Sequence, residues 1–161
     1  MKTYKVLWVD DQIAGLQAYK KALEQAGFIV TTAASTHEAV AEANMSLFDI
    51  ILVDILMPPP DGIVCLRQLR PLQPKASLAA LSSFLYLDRY RNALANLQFE
   101  VALIEKDMPN IDSPDFGSRF LAPIIALAEH GVAQTIAEQE ASLQKLTAET
   151  DLDPFALPLH E

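Results

Sequence analysis

The chain has 161 residues, 51% of them hydrophobic and 20% charged, which suits one globular domain with a sizeable core and little room for a second. Its net charge of −9 disfavours nucleic acid and anionic membrane surfaces, whose phosphates carry the same sign. A single cysteine, Cys65, excludes an internal disulfide, fits a cytoplasmic location, and in its apolar setting reads as a small buried hydrophobe.

Lys5–Val9 is a continuous apolar run that reads as a first strand, closed by Asp10-Asp11. Its four apolar residues are too few for a secretory core or a membrane span. Ile13–Ala26 has helical spacing and stops at Gly27, a residue typical just past a helix end. Phe28–Thr32 is the second strand. Ser35-Thr36-His37-Glu38 has the Ser-x-x-Glu form of a capping box and opens a helix towards Met45. Ile50–Val53, again without polar alternation, is the third strand and runs into Asp54. Such uninterrupted runs are expected of central parallel strands covered on both faces.

Gly62–Leu69 reads as a third helix ended by Pro71, and Ser77–Leu81 as a fourth strand leading to Ser82-Ser83. A fourth helix spans Leu85–Leu94, with Asn96 placed to close it. The aromatics Phe84, Tyr86 and Tyr90 near its start are expected to cover the core or an interface. Val101–Ile104 is the fifth strand, ending near Lys106, and Ser113-Pro114 resembles the cap and first residue of a fifth helix that ends before Gly131. Five strands alternating with five helices make a doubly wound α/β parallel sheet. The domain is expected over residues 1–130 and a helical extension with a flexible tail over 131–161. In that extension Gln134–Glu149 is amphipathic. Val132, Ile136, Leu143 and Leu146 form a stripe, broken at Gln139, that needs something to pack against. A homodimer is slightly preferred over docking onto the same chain.

Asp10, Asp11, Asp54, Ser82 and Lys106 all fall at the carboxyl ends of strands, where open α/β sheets bind ligands. Taken singly each has a plain reading: Asp11 as a helix cap, Asp54 as the start of the turn into Pro58-Pro59-Pro60, Ser82 as a strand-end hydroxyl. If strands 1 and 3 are neighbours, three carboxylates converge and repel, and the cluster needs a cation. All-oxygen ligands favour a hard ion such as Mg²⁺, which in turn favours phosphoryl chemistry. The three histidines, His37, His130 and His160, are scattered and form no site.

Val9-Asp10-Asp11-Gln12, followed by Phe48 to Pro58 with Asp54 and Met57-Pro58, and then Asp61-Gly62, resembles the receiver domains of two-component response regulators. The likeness covers about residues 4–128 and is sharpest up to Gly62. It implies a flavodoxin-like five-stranded sheet of order 2-1-3-4-5 with the C-terminal helical extension added. It implies Asp54 as phosphoacceptor, charged by a sensor histidine kinase or phosphotransfer protein. Mg²⁺ would be held by Asp10, Asp11, Asp54 and the backbone carbonyl of Leu56, while Ser82 and Lys106 would receive the phosphoryl oxygens. The protein would then be a cytoplasmic single-domain switch that signals by protein contacts, not an enzyme beyond slow autodephosphorylation, with no nucleic-acid or membrane partner.

Three departures from the family pattern stand out. Lys106 is followed by Asp107 where proline is usual, so the peptide bond is expected trans. Leu103 replaces an aromatic, and Leu97-Gln98-Phe99 lacks the usual Gly-Ala. These motivate the alternative of a pseudo-receiver, a docking module that is not phosphorylated. An aspartyl-nucleophile hydrolase resembling haloacid dehalogenases is disfavoured, because the position two after Asp54 is Leu56, which cannot transfer a proton.

Overall fold

The computed structural model describes residues 2–83 and 88–150, with the backbone alone for 88, 139, 142, 143 and 146–150. Its strands are β1 Tyr4–Val9, β2 Phe28–Ala33, β3 Ile50–Asp54, β4 Ser77–Ser82 and β5 Ala102–Glu105. Its helices are α1 Gln17–Gln25, α2 Thr36–Met45, α3 Gly62–Leu72, α4 Asp88–Ala95 and α5 Ala122–Thr150. All strand pairs are parallel and the order is β2-β1-β3-β4-β5, as the resemblance implies.

Every residue of β3 and the last four of β1 are buried, because these strands lie inside the sheet with helices on both faces. Side-chain alternation divides the core in two. Leu7, Val9, Ile51 and Val53 face one cluster with Cys65, Leu66 and Leu69 of α3. Val6, Trp8, Ile50 and Leu52 face the other, where Phe116, Phe120, Ile124 and Leu127 cover them. Cys65 is fully buried, and burial pushes its thiol up to about 11, so it packs rather than reacts.

The capping signals hold in detail. Ser35 accepts from the Glu38 N–H at 3.1 Å, while Glu38 reaches back to the Ala34 N–H at 2.6 Å, one residue earlier than a standard box requires. Gly27 has φ 103, the left-handed closure expected of it.

Four boundaries depart from expectation, the first at the helix expected from Ile13: Ile13–Leu16 is a 3-10 turn, and the α-helix starts only at Gln17. Pro71 does not end α3, which runs on to Leu72; proline sits in the last turn, where one missing N–H costs a single hydrogen bond. Ser113 does not cap a helix: its hydroxyl meets Asp115, and the chain turns before a π-helical segment, Gly117–Leu121, feeds into α5. The extension helix also begins directly after Gly131 rather than at Gln134. It is separated from the first part of α5 by non-helical backbone at Gly131, φ 78 and ψ 176. The expected start of the fourth helix at Leu85, with Phe84 and Tyr86, and the tail from Asp151 lie outside the described residues.

Candidate functional site

β1 and β3 are hydrogen-bonded neighbours, so the residues that follow Val9 and Val53 arrive side by side at the carboxyl edge of the sheet. One oxygen each from Asp10, Asp11 and Asp54 lie within 4.8 Å of one another. Asp10 and Asp54 are buried and Asp11 is exposed, so the cluster has a closed floor and an open side. Asp11, Gln12, Asp54, Leu56, Ser82, Ser83 and Lys106 line a cleft of about 170 Å³ over it.

β5 brings Lys106 across. Its ammonium stands 2.6 Å from Asp10 Oδ2 and 3.2 Å from Asp54 Oδ2. Asp10 is fully buried, and its other oxygen accepts from the Gln12 N–H at 2.9 Å. The Asp54 Oδ1 accepts from the Leu56 N–H at 3.2 Å. Burial holds the Asp54 carboxyl above its usual range; Lys106 opposes that shift and Asp10 adds to it. Burial alone would lower the Lys106 ammonium, but the bond to Asp10 and the charges of Asp54 and Asp10 carry it above its ordinary value. One ammonium among three carboxylates leaves the cluster short of positive charge. The donor set is all oxygen and fits a hard divalent cation.

Ser82 ends β4 in a buried position, and its carbonyl accepts from the Lys106 N–H at 3.0 Å. The neighbouring Ser83 hydroxyl is committed to the Lys106 carbonyl at 3.1 Å. Leu56 stands 40% exposed at the mouth of the cleft. The structure therefore brings Asp10, Asp11, Asp54, Ser82, Lys106 and Leu56 to one place.

The loop after Asp54 is fixed from below. Gly62 donates to the Ile55 carbonyl at 3.2 Å, and Thr36 of α2 donates to the Pro60 carbonyl at 2.7 Å. Thr36 carried no signal in the sequence beyond its place in the capping box. The Lys106–Asp107 peptide is trans, as expected, since cis bonds are confined to proline in all but rare cases. Asp107 is taken up by Arg119, a partnership nothing in the sequence announced.

Residues 6–96 match the family model of the response regulator receiver domain, which is more than half of the chain. The chain belongs to the response regulator receiver family. Among curated relatives, this receiver is 30% identical over 79 residues to the transcriptional regulatory protein ZraR of Salmonella typhimurium, a stretch covering 49% of this chain and 18% of that one. It is 36% identical over 66 residues to the alkaline phosphatase synthesis transcriptional regulatory protein PhoP of Bacillus subtilis, covering 41% and 28%. The match thus spans between about a sixth and a third of the length of these relatives. Among solved structures, the chemotaxis protein CheY4 of Vibrio cholerae is similar with a TM-score of 0.60 at 25% identity, covering 74% of this receiver and 97% of CheY4. A response regulator of Burkholderia pseudomallei with a phosphorylated aspartic acid, a calcium ion and citrate superposes with a TM-score of 0.63, covering 93% and 87%; at 21% identity it shows the fold alone.

Receivers are signalling switches rather than enzymes in the ordinary sense, and response regulators are generally soluble cytoplasmic proteins. Residues Gly117–Glu138 are long and apolar enough to cross a membrane by length and composition; 22% of the apolar window is buried, and Phe120, Ile124 and Leu127 in that stretch lie in the core.

Proposed function

We propose that this receiver is a phosphorylation switch whose acceptor is Asp54. The observation that carries the reading is the convergence of Asp10, Asp11 and Asp54 beside the Lys106 ammonium, at the carboxyl edge of the sheet and open to one cleft. Asp10, Asp11, Asp54 and the Leu56 carbonyl are the groups that would hold Mg²⁺. Bound there, the cation would neutralise charge on the transferring phosphoryl oxygens.

The rest falls to the protein's own side chains. The Asp54 carboxylate attacks the phosphorus of a phosphohistidine on a kinase or phosphotransfer protein; a P–O bond forms and the P–N bond breaks. Attack needs the ionised carboxyl; burial disfavours that form, and the Lys106 ammonium favours it. Lys106 follows the new charge as an ion-pair partner, and Ser82 offers a hydroxyl from the end of β4. Leu56 shields the acyl phosphate from water. The switch acts through protein contacts.

Incubation with acetyl phosphate and Mg²⁺, followed by intact-mass and peptide mapping, tests this. One phosphoryl group on Asp54, lost in Asp54→Asn and in excess chelator, is the expected result. An acyl phosphate in the Asp54→Asn protein, or full labelling without metal, overturns the assignment. Absence of any label in the wild type favours the docking module that is not phosphorylated.

A further inference from the structure

Lys106 has a flexible four-carbon stem and sits at the start of an irregular loop, yet it is drawn onto two carboxylates. On the β4 side it is held by its own backbone, which donates to the Ser82 carbonyl and accepts from the Ser83 hydroxyl. Beyond it the loop is tied from the opposite direction. Arg119 donates through Nε at 2.8 Å and through Nη2 to the same oxygen of Asp107, and through Nη1 at 3.1 Å to Asp115. The Tyr19 hydroxyl of α1 lies 3.2 Å from the Met108 carbonyl and 3.1 Å from that of Pro109. The Tyr19 ring is itself wedged edge-on against Phe120 at 5.3 Å.

We propose that Arg119 is a positioning residue of the site: with Tyr19 it straps the loop after Lys106 through Asp107, and so sets how firmly the Lys106 ammonium is held on Asp10 and Asp54. With no proline directly after Lys106 to stiffen the backbone, the restraint comes from a distant side chain. The π-helical segment Gly117–Leu121 contains Arg119; it closes with the Ala122 N–H on the Gly117 carbonyl, five residues back. Such wide turns recur at functional sites. Arg119 and Asp107 are 43% and 40% exposed, so their pair adds little to folding stability. Its effect is geometric. The functional consequence rests on the reading of Asp54 as acceptor, whereas the strap itself does not.

The full chain is the material for the test, with magnesium chloride as the probe. Lys106 competes with a metal for the same carboxylates, so loosening it should tighten Mg²⁺ binding. Arg119→Gln is expected to raise Mg²⁺ affinity about two- to fivefold by calorimetry, the range of one exposed ion pair. In metal-free protein it should speed amide exchange at Asp107, Met108 and Asn110, with little change in melting temperature. Arg119→Lys should restore most of both effects. In a Lys106→Ala background Arg119→Gln should leave Mg²⁺ affinity unchanged, which separates positioning from the mere loss of a nearby positive charge. Equal affinity in wild type and Arg119→Gln, or the same shift with Lys106 already removed, overturns the strap. Acetyl phosphate labelling of the wild type tests the acceptor separately: an unlabelled Asp54 alongside the expected Mg²⁺ response would sink the acceptor and support the strap.

Discussion

Asp54 is held between burial, which disfavours its charge, and Lys106, which favours it, and burial wins. A carboxyl whose pKa is raised on folding binds its proton more tightly in the folded chain than in the unfolded one. Ionised Asp54 therefore subtracts from stability at neutral pH, and the loss is relieved as pH falls through the raised value. In metal-free protein Asp54→Asn should raise the melting temperature by a few degrees at neutral pH. That gain should fade in acid, where both forms of the site are neutral. A gain of the same size at both pH values would show that the carboxylate's charge is not its cause. The same position bears on lifetime. Leu56 at the mouth of the cleft can neither orient nor deprotonate a water, and Phe84, two after Ser82 in sequence, is equally inert. Loss of the phosphoryl group should be slow for this family, and Leu56→Asn with Phe84→Gln should speed it several-fold, read by loss of label with time. Equal lifetimes would assign water exclusion elsewhere. These residues were legible in the sequence because strand-end chemistry is written in residue type. Arg119 was not, because an exposed arginine finds its partner only through a loop path that no spacing encodes.

At the scale of elements, all five strands were legible, the half-exposed β2 as well as the buried ones. β1 and β3 are buried on both faces, so their composition is uniform and their bounds differed from expectation by a residue at most. The start of α5 was misread because Ser113-Pro114 has the form of a cap, while a π-helical entry has no compositional mark. Pro71 misled for the opposite reason: a terminal turn tolerates what an interior turn does not. Gly62 shows how an element boundary can serve the site. It begins α3 directly over the end of β3. A Cβ there would stand 2.5 Å from the Ile55 Cα and nearer still to the Asp54 carbonyl oxygen. Both obstacles are backbone and cannot swing away. Gly62→Ala should cost about 3 kcal/mol by urea denaturation, at the upper end for overpacking, and should lower Asp54 labelling in the protein that remains folded. A loss below about 1 kcal/mol would mean that α3 rides away from β3 freely. The Asp-Gly of the family resemblance thus has a steric cause in this chain.

For the whole molecule the open matter is what the C-terminal extension does. Its amphipathic stripe left two partners, a second copy or the chain's own receiver. The backbone at Gly131 takes φ 78, which an L side chain rarely adopts, and so redirects the helix there. Just past this bend Val132 packs against the core cluster that holds Trp8, Phe120 and Leu127. Thr135 is only 7% exposed, with its hydroxyl donating to the Gly131 carbonyl at 2.7 Å. One helix standing clear of the fold does not bury a residue that far, so the first turn after Gly131 is seated on its own chain. Leu143 and Leu146, the far half of the stripe, lie outside the described side chains. With this turn seated on its own chain, truncation after Gly131 should lower stability by about 1 kcal/mol, the worth of a partly buried valine and its neighbours. The intact protein should sediment as a monomer, with slow amide exchange across residues 132–136. Fast exchange there together with an unchanged unfolding midpoint would leave the extension unseated. A concentration-dependent mass that disappears on truncation would give the stripe to a second copy instead, and with it an output surface for the switch.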